Sequence, residues 1–102
     1  MEVKKLTFPK TGEYYLKYIF EKSENNVQAS CGSVFLKKGE ILPFKTLDSH
    51  EFALLLSGKL LVYTQNGAKV EMNAGDLIYI HKEEVRETET LEDSQVLFFL
   101  FV

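Results

Sequence analysis

The sequence predicts an all-β, antiparallel domain built as a small sandwich or barrel. Three observations carry this reading. Short runs rich in β-branched and aromatic residues recur at close spacing, clusters of turn residues separate them, and no long segment keeps a helical apolar period. The 102 residues suit one domain, residues 1–102, and a hydrophobic content of 45% is enough for a single small core without staples.

Residues 13–20, EYYLKYIF, form the first strand, with Tyr14, Leu16, Tyr18 and Phe20 on one face. KSENN, residues 22–26, is a polar turn. VQASCGSVFLKKG, residues 27–39, reads as a longer strand bent at Gly32. EFALLLSG and KLLVYT are apolar strand runs separated by Ser57 and Gly58. Asn66-Gly67 reads as a type I′ hairpin turn, whose two central positions both take positive φ. NAGD, residues 73–76, is a further turn and leads into the strand LIYIH. The charged segment KEEVRETETLEDS, residues 82–94, reads as solvated strand edge plus loop, with room for one helical turn over residues 82–88. QVLFFLFV, residues 95–102, closes the chain as a buried strand.

Composition removes several function classes. A formal net charge of −3 argues against the basic face that nucleic-acid binding requires. VLFFLFV is too short to span a bilayer, so no membrane partner is expected. The first residues lack the apolar core of a secretory signal, and the single Cys31 cannot form an internal disulfide. A reducing compartment, the cytoplasm, is therefore the expected location. No motif surrounds Cys31 to activate it as a nucleophile, and it reads as a small buried hydrophobe.

Two spaced glycine motifs carry the most specific signal. Gly39 is followed by EILPF, KTL, DSH, then Glu51, FALLLS and Gly58; Gly75 is followed by DLIYI, His81-Lys82-Glu83, EV, then Arg86, ETE and Thr90. This spacing, with Pro43 and the opening AGDLIYI, resembles the cupin family over residues 39–90. The resemblance implies a small antiparallel jelly-roll β-barrel. It also implies a metal held by three histidines and a glutamate. The corresponding positions here are Lys45, Leu47, Glu51 and Arg86, so the glutamate alone remains, and the second motif's Pro, Gly and Asn have become His81, Glu83 and Thr90.

Those substitutions change the chemistry. A transition metal needs several lone-pair donors. Leu47 offers none, Arg86 stays protonated, and Lys45 is a cation unless strongly desolvated. No metal and no other cofactor is therefore expected. A lone buried carboxylate is costly, so Glu51 is expected to pair with Arg86 or Lys45 near the barrel mouth. Spare donors on the two cations would then hold a carboxylate or phosphate. Tyr63 and Tyr79 are expected to line the same cavity. The competing reading leaves all these side chains in solvent or in ordinary core packing.

A shifted metal set is the alternative. Asp48 and His50 share one face of an extended segment, and His81 would be the third ligand. Against it, His50 adjoins Glu51 and should point to the opposite face. Three functional readings follow. One is a metal-free module binding a small polar or anionic molecule. Another is an enzyme: a metal-dependent oxygenase or isomerase through Asp48, His50 and His81, or a metal-independent sugar isomerase or epimerase with a general base. The last is an interaction protein. A homodimer is expected in any case, because several strands are apolar on both faces.

Overall fold

The computed structural model describes residues 1–102 and contains strands and turns but no helix. Seven antiparallel strands run in the order β1 (Leu16–Glu24), β2 (Val27–Leu36), β3 (Ile41–Lys45), β4 (His50–Thr64), β5 (Lys69–Asn73), β6 (Leu77–Ile80) and β7 (Arg86–Phe101). The main path of the sheet is β1-β2-β7-β4-β5, with β3 joined to β7 and β6 joined to β4. The jelly-roll reading holds.

Two long strands organise the architecture. The first half of β4 pairs with β6 through Glu51–Ile80 to Leu54–Leu77, and its second half pairs with β5 through Lys59–Asn73 to Tyr63–Lys69. β7 divides in the same way, its first half against β3 and its second half against β2. The two strands also pair with each other along their length, with register shifts between Leu55 and Leu60. Gly58 sits at this corner with φ +97°, where an added Cβ would lie 2.3 Å from the Asp93 carbonyl oxygen. Ser94 Oγ closes the corner by accepting from Lys59 N at 3.1 Å and donating to Glu92 O at 2.7 Å. A bulge of this kind bends a strand so that it can serve two layers. Ser57 and Gly58 therefore kink a single continuous strand and do not end it.

The layers meet in one core. Val34, Ala53, Val96 and Phe98 from one side pack with Leu60, Val62 and Met72 from the other. Gly32 lies within β2 without a break, opposite Tyr18 and Phe98. The irregularity expected there falls in β1 instead, between Tyr18 and Phe20. The N-terminal arm crosses the outer face of β1 and β2, where Lys4 Nζ donates to Ile19 O at 3.0 Å and Ser33 Oγ donates to Thr7 O.

Two turns differ from expectation. Asn25 and Asn26 carry φ of 48° and 67° between the paired residues Glu24 and Val27, so the two-residue primed turn is here. At Asn66-Gly67 only the glycine is left-handed, with φ 93°. Gly67 N donates to Thr64 O at 3.1 Å and Thr64 N to Ala68 O at 2.9 Å. That loop has one residue more than a type I′ turn and forms a type I turn with a glycine bulge. The larger correction concerns residues 82–94. Residues 82–85 form the expected loop, but from Arg86 onward the segment is no solvated edge: it is the start of β7, flanked by β3 and β4. No helical turn forms over residues 82–88. Alternation explains this: Glu87 and Glu89 take the outer face while Arg86, Thr88 and Thr90 take the inner one.

Candidate functional site

Glu51 enters the interior from β4, and Lys45 and Arg86 are register partners on β3 and β7. Register partners share a face, so both cations project the same way. A cavity of about 310 Å³ lies between the layers, and Lys45, Leu47, Glu51 and Arg86 all line it. All four positions that correspond to cupin metal ligands thus converge on one space. Most of its wall is hydrocarbon, with Val34, Val62, Met72 and Phe98 among the contributors. Tyr14 and Tyr18 are exposed and also line it, which marks the mouth.

Arg86 Nη2 donates to Glu51 Oε1 at 2.6 Å, and the two side chains are only 7% and 16% exposed. Lys45 Nζ donates to the Tyr15 hydroxyl at 3.2 Å and lies 5.8 Å from the centre of its ring. Arg86 Nη1 is buried without a hydrogen-bond partner, as is Thr90 Oγ1. Burial pushes the Glu51 carboxyl above its ordinary value, and the opposing pull of Arg86 and then Lys45 does not cancel that rise.

The metal implied by the fold does not fit this set. The only carboxylate is engaged by Arg86, and the remaining ligand positions offer two cations and a hydrocarbon. Nor does the structure assemble Asp48, His50 and His81: it holds no group of three or more His, Cys, Asp or Glu able to grip a metal ion. His50 and His81 do meet, with ring centroids 4.7 Å apart, but outside the cavity. His50 Nδ1 accepts from Lys82 N at 3.3 Å and from the Tyr79 hydroxyl at 2.9 Å, and His81 Nδ1 donates to Lys82 O at 2.6 Å.

Tyr63 and Tyr79 do not line the cavity. Ile78 and Ile80 face inward on either side of Tyr79, which stacks outside on His50 and packs against Phe52. Val62 takes the inward position beside Tyr63, which meets Phe44 edge-on at 5.8 Å. A hydrogen bond to Glu87 raises the Tyr63 phenol to about 12. Tyr15 and Thr88 are polar contributors that the motifs do not flag. The alternation Arg86-x-Thr88 was the available signal for the threonine.

The jelly-roll architecture is that of a cupin. The chain belongs to the EutQ-like cupin domain family, whose profile matches residues 28–96. Among solved structures it is similar to a putative ethanolamine utilization protein Q from Salmonella typhimurium LT2, with 21% identity, TM-score 0.71, and coverage of 84% of this chain and 67% of that one. It is also similar to the Clostridium difficile EutQ protein, with 23% identity, TM-score 0.73, and coverage of 85% and 66%. The chain thus spans about two thirds of either EutQ chain's length. A cupin superfamily protein from Desulfitobacterium hafniense DCB-2 matches nearly end to end, covering 97% of this chain and 99% of that one, at 12% identity and TM-score 0.68. No curated protein matches the chain. No helix of the fold is long and apolar enough to cross a membrane.

Proposed function

We propose that the chain is a metal-free cupin module that binds a small polar or anionic molecule in its barrel, with Lys45, Glu51 and Arg86 as the recognition group. One observation carries the reading: Arg86 lines a cavity of about 310 Å³, and its Nη1 is a buried, charged donor with no partner. An unmet buried donor costs free energy that a ligand acceptor would recover. The cavity lies at the lower end of the usual size range for small-molecule sites. Thermal-shift screening of untagged protein, combined with elemental analysis, tests this. The expected result is no stoichiometric metal, and stabilisation by polar or anionic compounds that Lys45→Met weakens. Stoichiometric zinc, iron, manganese or nickel, or stabilisation by apolar compounds alone, overturns it.

We also propose that the chain acts as a homodimer. The outer face of β6, β4 and β7 carries a row of register partners, Tyr79, Phe52 and Phe99, all exposed, with Leu77 close by. A contiguous apolar sheet face of this kind is best covered by a second copy across a two-fold axis. The lone thiol of Cys31 suits a reducing compartment such as the cytoplasm.

A further inference from the structure

We infer that the bound molecule is a monocarboxylate with an apolar body, its carboxylate bridging Arg86 Nη1 and Lys45 Nζ and its body lying along the hydrocarbon wall. This rests on the binding-module reading and narrows it to one ligand class. Charge counting comes first. Lys45 and Arg86 contribute two positive charges to the cavity, and Glu51 offsets at most one of them. The sum is positive whether or not Glu51 holds its proton, and it equals a single surplus charge when Glu51 is ionised. With Glu51 ionised by its bond to Arg86, a monoanion neutralises that surplus and a phosphate dianion would overshoot it.

Donor geometry points the same way. Glu51 uses Arg86 Nη2, which leaves Nη1 as the free arm of a planar fork suited to a carboxylate oxygen. Lys45, directly across the register, has further ammonium hydrogens beyond the one given to Tyr15. Two donors on adjacent strands match the two oxygens of one carboxylate. No helix exists to offer a phosphate a cradle of N-terminal amides. Beyond this polar end the wall is largely aliphatic and aromatic, so the remainder of the ligand must be apolar to gain from burial.

Isothermal titration calorimetry with four probes of equal chain length tests the inference: hexanoate, 1-hexanol, hexylamine and hexyl phosphate. Hexanoate should bind best. Loss of one charge-assisted hydrogen bond should weaken hexanol by roughly tenfold or more, and hexylamine should not bind. Lys45→Met should weaken hexanoate by about tenfold while leaving hexanol unchanged. Glu51→Gln should act in the opposite direction and tighten hexanoate, because it removes the carboxylate that competes for Arg86 and raises the positive charge. Equal binding of hexanol and hexanoate overturns the carboxylate assignment while leaving a binding cavity. Tighter binding of hexyl phosphate replaces the monoanion with a dianion. Failure of all four probes, or weaker hexanoate binding in folded Glu51→Gln, also overturns it; the binding-module reading is then judged by its own broader screen.

Discussion

Lys45 and Arg86 stand opposite each other on β3 and β7, two cations paired across one register on an inward face. Like charges in this position repel. The fold offsets the repulsion locally: Glu51 takes one arm of Arg86, and Tyr15 takes a hydrogen of Lys45. The arrangement is compensated only in part in charge, one carboxylate against two cations, and is incomplete in hydrogen bonds, since Arg86 Nη1 has no partner.

Breaking the Glu51–Arg86 pair from one side should be expensive. Arg86→Met leaves the Glu51 carboxylate buried without its guanidinium and is expected to cost about 3–5 kcal/mol. The double variant Glu51→Leu, Arg86→Met removes both charges and should recover most of that loss. Urea unfolding of the two single variants and the double variant measures the coupling. Additive losses would mean that the pair contributes nothing as a pair.

The pH dependence has a definite sign. Burial raises the Glu51 carboxyl above its ordinary 4.5, against the pull of Arg86 and Lys45. The folded protein therefore holds this proton more tightly than the unfolded chain. The resulting contribution to stability is fully present below the ordinary value and is lost as pH rises through the folded one. Comparing wild type with Glu51→Gln by urea unfolding across this window should show a fall with rising pH in the wild type that the variant lacks. Parallel profiles would assign the slope to other groups.

Gly58 and Gly67 separate backbone conformation from steric contact. Both have positive φ, but an added Cβ meets the Asp93 carbonyl at Gly58 and nothing within 4 Å at Gly67. Gly67→Ala should cost roughly 1–2 kcal/mol for the left-handed conformation alone. Gly58→Ala should cost clearly more, since the corner of β4 must also give way. Equal midpoints in chemical denaturation would show that the corner is soft.

Phe52 lies at the centre of the exposed aromatic row on the outer sheet face. Phe52→Glu places a charge on that face and should convert the proposed dimer to monomer without loss of the fold. Sedimentation velocity reads the state directly, with circular dichroism as the control for folding. A wild type that sediments as a monomer at micromolar concentration removes the dimer.

The framework was legible because it rests on spacing. Gly39, Gly58 and Gly75 all take positive φ, and the intervening residues keep the phase that brings Lys45, Leu47, Glu51 and Arg86 to one cavity. Side-chain identity misled where it competed with parity. The charges of residues 82–94 read as solvent exposure, yet from Arg86 to Thr90 every second residue faces inward. Tyr63 and Tyr79 suggested a cavity lining by their chemistry, while their neighbours Val62, Ile78 and Ile80 held the inward positions. Asn66-Gly67 has the stronger hairpin signature, but loop length decided the turn, and Asn25-Asn26 took the primed geometry. The pairing of Glu51 with Arg86 over Lys45 depends on tertiary distance, which spacing does not encode.

The placement of β7 bears on how the chain reaches its fold. It is the latest strand in sequence and the hub of the sheet, bonded to β2, β3 and β4. During synthesis the earlier strands can form hairpins, but the two layers lack their shared seam until residues 86–101 leave the ribosome. Such distant pairings are slow to form, because loop closure precedes any reward. Until then the emerging chain holds apolar β4 without its main neighbour, so the joining of the two layers waits on β7 and β4 is open to non-native contact in that interval.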